Sequence, residues 1–376
     1  MDVLKRYPLF VSLVVLLAVF LLVRLPIWER PPQTYADSAT YLEPTDELLA
    51  EDFEIENYDS ERGLAYPFFL STVFRFAGDD NLPAVVGVQK VLGLLITLLL
   101  FFIGVKLSGS YWIGLLFGLF YALNVPAALF EVTILAETLS TFLTAILLLV
   151  ELFALRMVYR RESALRLLPL FALIGVLCGI LALSKHKFML FWVAPTGIFA
   201  LLILYQYALR RLVSAPAMKR RLLGLLAIAV VPAGIAIGWS VVNWNNFGWF
   251  TFSPISGINL SNVAGGFIEY ASDPRCNDFV NAYLQYRQAE IERTGTHAMT
   301  IYRTMQVQID PENLQQRVEY QRLAYDCSLS AVLARPDLYF KTALASGDLF
   351  WDPAIYSRVP LQGPPKWLAD QAKTAL

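Results

Sequence analysis

The chain has 376 residues, 57% of them hydrophobic and only 16% charged, against about 25% charged in soluble domains. That composition excludes an ordinary water-soluble globule and makes the bilayer the expected solvent. The formal net charge of −1 hides a segregation of sign along the chain, so position carries more than the total, and no nucleic-acid partner is expected.

A membrane helix needs about 20 mostly apolar residues. Seven candidates follow in chain order: 8–23, 84–105, 111–130, 132–155, 168–184, 188–208 and 222–242. The first follows Lys5 and Arg6 in the manner of a secretory signal. Arg24-Leu25-Pro26-Ile27-Trp28-Glu29-Arg30 offers no small-residue cleavage site, however, so this run is read as an uncleaved span with Trp28 as an interfacial anchor. The predicted fold is all-α transmembrane, with about seven spans. A transmembrane catalytic domain over 1–242 contains an outer loop, 24–81, with amphipathic surface helices. A small, mostly helical outer segment covers 243–376.

Basic residues mark cytoplasmic loops. Lys5, Arg6 and Lys106 fall on one side of the proposed order, with Arg156, Arg160, Arg161 and Arg166, and then Arg210, Arg211, Lys219, Arg220 and Arg221. The other side receives Glu43, Asp46, Glu47, Glu51, Asp52, Glu54, Glu56, Asp59 and Glu61, and everything after Asn243. Within the outer loop, Ala65-Tyr66-Pro67-Phe68-Phe69-Leu70-Ser71-Thr72-Val73-Phe74 reads as a helix lying along the membrane surface. The tail alternates aromatic and polar residues over 244–252 and becomes charged and helix-like over 277–333, with no fixed-period repeat.

Of three cysteines, Cys178 lies inside the fifth span, while Cys276 and Cys327 lie in the outer tail. On the oxidising side these two either form a disulfide, worth about 3–4 kcal/mol for so long a loop, or remain two buried free thiols. His186 and His297 are the only histidines, too few for an HExxH or Cys/His zinc site.

Three features converge on the outer face. Asp37, in Thr34-Tyr35-Ala36-Asp37-Ser38-Ala39-Thr40-Tyr41-Leu42, is placed just outside the bilayer, where a carboxylate flanked by aromatics suits a general base; it is equally one more solvated acid in an acidic loop. Glu137 is expected a turn or two into the fourth span, where an ionisable group is expensive and defaults to a functional reading, with an interhelical hydrogen bond as the plain alternative. Glu131 is expected at the interface, solvated or capping. Lys185-His186-Lys187 sits between spans five and six on the side that disfavours cations. It offers charge to a phosphate headgroup or else snorkels to ordinary anionic lipids. Arg62 and Lys90 are weaker candidates of the same kind. A base, a sunken acid and a phosphate-sized basic cluster suit displacement at a sugar's anomeric carbon. A polyprenyl phosphate already leaves as a stable anion, so one base suffices where glycoside hydrolysis ordinarily needs paired carboxylates.

The chain resembles the C-type fold (GT-C) membrane glycosyltransferases, the group containing protein O-mannosyltransferases and the aminoarabinose transferase acting on lipid A. The resemblance runs from the first span to about Trp351. It rests on the Asp37 segment, on Arg62-Gly63-Leu64-Ala65-Tyr66-Pro67, on Asn124-Val125-Pro126 leading to Ala136-Glu137-Thr138-Leu139, on Gly179-Ile180-Leu181-Ala182-Leu183-Ser184-Lys185, and on Asn243-Trp244-Asn245-Asn246-Phe247-Gly248 with Ser256-Gly257-Ile258-Asn259-Leu260. It implies Asp37 as catalytic base, Glu137 as a second acidic position, and Lys185, with Lys187 and His186, as donor-phosphate ligands. Tyr41, Tyr66 and Asn259 would be acceptor-side or structural residues. The implied partners are a polyprenyl-phosphate sugar donor, a lipid, glycan or protein acceptor, and membrane lipids, in a bacterial cytoplasmic membrane with the site facing outward.

The chain departs from the family pattern at Ser38, where a second acid is usual, and at Lys185-His186-Lys187, where Arg-Pro is usual. A divalent cation is left open, with no cofactor required. No apolar run of spanning length follows Trp351 before Leu376, which reads as an early stop or a truncation. The competing functions are a transporter or lipid-linked sugar flippase, and a noncatalytic scaffold in the cell envelope.

Overall fold

A computed structural model of the chain describes residues 8–50, 58, 61–208, 214–297, 299–310 and 313–350. Lys5 and Arg6, the acids Glu51, Asp52, Glu54, Glu56 and Asp59, Arg210 and Arg211, and the chain from Trp351 lie outside the described residues. Two compact units emerge, Met1–Trp239 and Ser240–Leu376, dividing a few residues before the boundary expected after Val242.

In the first unit the helices are α1 (Pro8–Arg24), α2 (Ala36–Leu49), α3 (Ala65–Ala77), α4 (Leu82–Ser108), α5 (Tyr111–Ala122), α6 (Val125–Phe130), α7 (Glu137–Tyr159), α8 (Ala164–Ser184), α9 (Val193–Ala208) and α10 (Ala215–Phe247), the last extending beyond Trp239. Among the described residues six helical segments are long and apolar enough to cross a bilayer: Pro8–Ile27, Leu82–Ser108, Glu137–Tyr159, Ala164–Ser184, His186–Ala208 and Ala215–Phe247. The chain is an integral membrane protein of all-α type, and among the described residues it has no strand. Asn81 starts α4 by accepting the Ala84 N–H at 3.1 Å, a cap worth about 1 kcal/mol.

The expected third span, 111–130, is broken. The 12 residues of α5 rise only about 18 Å. At the break the Asn124 side chain accepts the Ala127 N–H at 2.9 Å and opens α6, while Pro126 in the first turn of α6 has no N–H with which to continue the α5 ladder. Residues 131–136 are not helical, so the fourth span begins at Glu137 rather than Val132. Non-helical backbone is tolerated at membrane depth only where protein groups satisfy it, and here they do. Gln33 bridges Thr133 in parallel, accepting from the Ile134 N–H and donating to the Val132 carbonyl, both at 2.9 Å. The Gln89 side chain on α4 donates to the carbonyls of Thr133, at 2.8 Å, and Glu131, at 3.2 Å.

Glu131 is not interfacial, as the sequence suggested, but wholly buried, as is Arg24. The Arg24 guanidinium donates to both Glu131 oxygens, at 2.9 and 2.7 Å, and to the Ala122 carbonyl at 2.7 Å. Space for the carboxylate comes from Gly93 on α4, where a Cβ would collide with it. This pair joins the end of α1 to the broken segment. Between helices in lipid, such polar bonds and close packing act in place of the hydrophobic effect.

The first outer loop does form two helices, α2 and α3. Tyr66, Leu70 and Phe74 recur along one face of α3 and pack with Tyr41, Val85, Val86, Val132 and Ile134. A separate cluster joins α7 (Leu147, Ala154, Val158), α8 (Phe171, Ile174), α9 (Phe199, Ile203) and α10 (Leu225, Ile228).

The second unit holds α11 (Ser256–Ala264), α12 (Asn277–Thr294), α13 (Thr300–Gln308), α14 (Leu314–Ala334) and α15 (Pro336–Phe350). Its core gathers Phe279, Tyr283, Ile301, Tyr320 and Ala324, and the Ser261 and Ser328 hydroxyls meet at 2.9 Å between α11 and α14. Cys276 and Cys327 are disulfide-bonded, with Cα atoms 5.4 Å apart. His297 lies against the Asn262 carbonyl at 3.1 Å, and burial holds its pKa below 6.5.

Candidate functional site

Four pieces of the first unit converge on one cavity. At the start of α2, Ser38 caps the helix by accepting the Tyr35 N–H at 2.9 Å and is itself buried. The residue that departs from the acidic pattern therefore has a structural task, and the adjacent Asp37 projects outward with its side chain 66% exposed. Arg62, just before α3, donates to Asp37 Oδ1 at 2.9 Å and to the Thr40 hydroxyl at 2.9 Å, with its guanidinium carbon 5.1 Å from the Tyr41 ring centre. Next to it, Gly63 lies so close to the end of α8 that a Cβ would run into the Leu183 carbonyl. Backbone contact rather than a side chain thus sets Arg62 beside Lys185.

The other two pieces are the start of α7 and the end of α8. Glu137 stands in the first turn of α7, rather than a turn or two inside it, where the helix dipole favours a carboxylate. The hydroxyls of Ser140 and Ser184 meet at 3.0 Å and tie the two helix ends together. Lys185 leaves the helix in extended conformation and pairs with Glu137 Oε1. The second Glu137 oxygen is buried with no hydrogen-bond partner among the described residues.

The resulting cavity, of about 170 Å³, is lined by Asp37, Tyr41, Arg62 and Glu137 and by Lys185, His186 and Lys187, with Gly63, Leu135 and Ser184 completing the wall. The ion pairs Asp37–Arg62 and Glu137–Lys185 leave Lys187 as the surplus cation. Among the described residues Lys187 forms no ion pair, and its ammonium lies 5.3 Å from the Phe188 ring centre. Tyr41 is buried, and this raises its phenol pKa above 10 despite the nearby Arg62 cation. It therefore stays a neutral hydroxyl at physiological pH. Such a site can hold an anion at Lys187 and offer the Asp37 carboxylate from the same cavity.

No protein-family model, curated protein or solved structure matches this chain.

Of three further residues singled out in the sequence, two belong to the first unit and do not line the cavity. Lys90 donates to the Trp28 carbonyl at 2.7 Å and stacks on its ring. Tyr66 is buried one layer behind, edge-on to Tyr41 with centroids 5.1 Å apart, its hydroxyl 3.0 Å from Gln89. Asn259 belongs to the second unit. Among the described residues no group of three or more His, Cys, Asp and Glu side chains is placed to hold a metal ion. Both lining carboxylates are taken by cations, an arrangement that does not suit a divalent ion held by several protein oxygens.

The sequence reading missed Gln89 and the Arg24–Glu131 pair, which brace the segment leading into Glu137. It also passed over Glu151, a carboxyl in the middle of α7 visible as a lone acid in Leu149-Val150-Glu151-Leu152. Glu151 is partly buried and, among the described residues, forms no ion pair.

Proposed function

We propose that the chain is a membrane glycosyltransferase that moves a sugar from a polyprenyl-phosphate donor to an acceptor at the non-cytoplasmic face. The observation that carries this reading is that one cavity is lined both by the solvent-reaching carboxylate of Asp37 and by Lys187, a cation with no ion pair among the described residues. Its volume is below the 300–1,000 Å³ usual for ligand pockets. It suits a phosphate with the adjoining sugar atoms, the prenyl chain lying outside among lipid. The donor phosphate would sit on Lys187, sharing Arg62 and Lys185 with their carboxylates. Asp37 would take the proton of the acceptor hydroxyl as its oxygen attacks the anomeric carbon. The bond from that carbon to the phosphate oxygen breaks, the electron pair stays on the phosphate, and the configuration inverts.

The orientation follows from charge. The end of α7 and the start of α8 carry Arg156, Arg160, Arg161 and Arg166, while the cavity lies at the α7 start and the α8 end. The positive-inside rule then turns the cavity outward, in a bacterial cytoplasmic membrane toward the periplasm or cell exterior.

The test uses the full chain in nanodiscs with a panel of polyprenyl-phosphate and polyprenyl-diphosphate sugars. Transfer is expected, and Asp37→Asn should lower it by about 10²–10⁴-fold with thermal stability unchanged, since Asp37 is mostly exposed. Wild-type turnover in Asp37→Asn would remove the base. Absence of turnover with every donor, together with passage of a lipid-linked sugar across the bilayer, would replace this reading with a flippase.

A further inference from the structure

A second cavity lies at the opposite end of the first unit. It measures about 320 Å³ and is lined by Leu155, Arg156 and Tyr159 of α7, by Arg160 directly after it, and by Leu202 of α9. Its lining surface is mostly apolar, and Arg156 and Arg160, four positions apart at the end of α7, bring two cations to it.

Among the described residues neither arginine forms an ion pair. Arg156 donates to the Lys106 carbonyl, which uses one of five guanidinium donors and no negative charge. Arg160 makes no side-chain hydrogen bond or ion pair among the described residues, and Arg161 follows it directly. The carboxylate nearest in sequence, Glu162, is taken by Arg166 at 2.7 Å, while its backbone carbonyl accepts from Arg221 at 2.8 Å. Cations held together without a counter-charge, in a mostly apolar cavity between two membrane helices, lack an anion with a hydrocarbon tail. A soluble anion would meet the arginines but leave Leu155 and Leu202 uncovered. The neighbouring Tyr159, 75% exposed, is of the type that lies at headgroup level.

We propose that this cavity binds an anionic phospholipid, its headgroup phosphate on Arg156 and Arg160 and its acyl chain along Leu155 and Leu202 between α7 and α9. Guanidinium groups bind phosphate through paired N–H donors, and basic pockets between membrane helices suit such headgroups. The inference is independent of the glycosyltransferase reading.

The experiment is native mass spectrometry of the detergent-solubilised full chain, titrated with phosphatidylglycerol and, separately, with phosphatidylcholine of the same acyl chains. One phosphatidylglycerol should remain bound where phosphatidylcholine does not. Arg160→Ala removes a side chain with no other bond and should weaken retention about fivefold, the equivalent of about 1 kcal/mol. Leu202→Trp, which fills the apolar part of the cavity and leaves both charges, should weaken it as well. Thermal-shift measurements with inorganic phosphate separate the two sources of the anion. Stabilisation by phosphate alone equal to that by phosphatidylglycerol overturns the lipid assignment. So does equal retention of the two lipids, or phosphatidylglycerol retention that neither substitution changes.

Discussion

Lys185 and Lys187 are two residues apart and face different company. Lys185 spends its charge on Glu137, whereas Lys187 has an aromatic ring and open cavity. Lys187→Ala is therefore expected to weaken donor binding about tenfold or more, the loss of one charged hydrogen bond. Glu137→Gln should instead tighten the binding of a polyprenyl phosphate by freeing Lys185. Isothermal titration of both variants checks the pair, and weaker binding in Glu137→Gln would show that the carboxylate itself meets the ligand. Deeper in the unit, Arg24→Met leaves Glu131 as an uncompensated buried charge and should cost about 3–5 kcal/mol, read from unfolding in nanodiscs. The double change Arg24→Met with Glu131→Leu should recover most of that loss. Glu137 and Lys185 were singled out in the sequence because each is a charge where the topology makes charge unexpected, and Asp37 because aromatics flank it just beyond the first span. Arg24 and Glu131 were not. Each ends an apolar run, as interfacial residues do, and nothing local announces a partner 107 positions away.

At the scale of elements, apolar run length located the membrane helices well wherever a run was continuous. Leu82–Ser108 and Ala164–Ser184 contain the expected 84–105 and 168–184. It failed between Ala122 and Glu137, since composition stays apolar through the break. The bonds that permit the break come from Gln33 and Gln89, far along the chain. Likewise, Gly63 looked like part of a motif, but its physical role appears only when Leu183 is beside it. Gly63→Ala must push the segment before α3 away from the end of α8, separating Arg62 from Lys185. Transfer activity should fall at least tenfold while Arg62 and Asp37 remain paired, a lesion that Gly63→Ser should share. Activity of Gly63→Ala equal to that of the parent would mean that the two cations need not be neighbours.

For the molecule as a whole, the second unit offers a separate measurement. The Cys276–Cys327 bond closes a 51-residue separation, and chain entropy assigns such a loop about 4 kcal/mol. Replacing both cysteines by serine should lower the unfolding midpoint of that unit in chemical denaturation, and reduction of the parent should reproduce the shift. Midpoints unchanged by either treatment would place the unit's stability in its apolar core alone. The cavity of the first unit carries a different consequence, set by its single surplus charge. A sugar phosphodiester brings one negative charge and balances Lys187. The phosphomonoester left behind by the proposed transfer keeps the bonding pair and so carries a second negative charge, and the cation that would admit the donor would hold the spent carrier more firmly. Departure of that carrier, rather than chemistry, would then set the pace of turnover, and accumulated prenyl phosphate would throttle the enzyme.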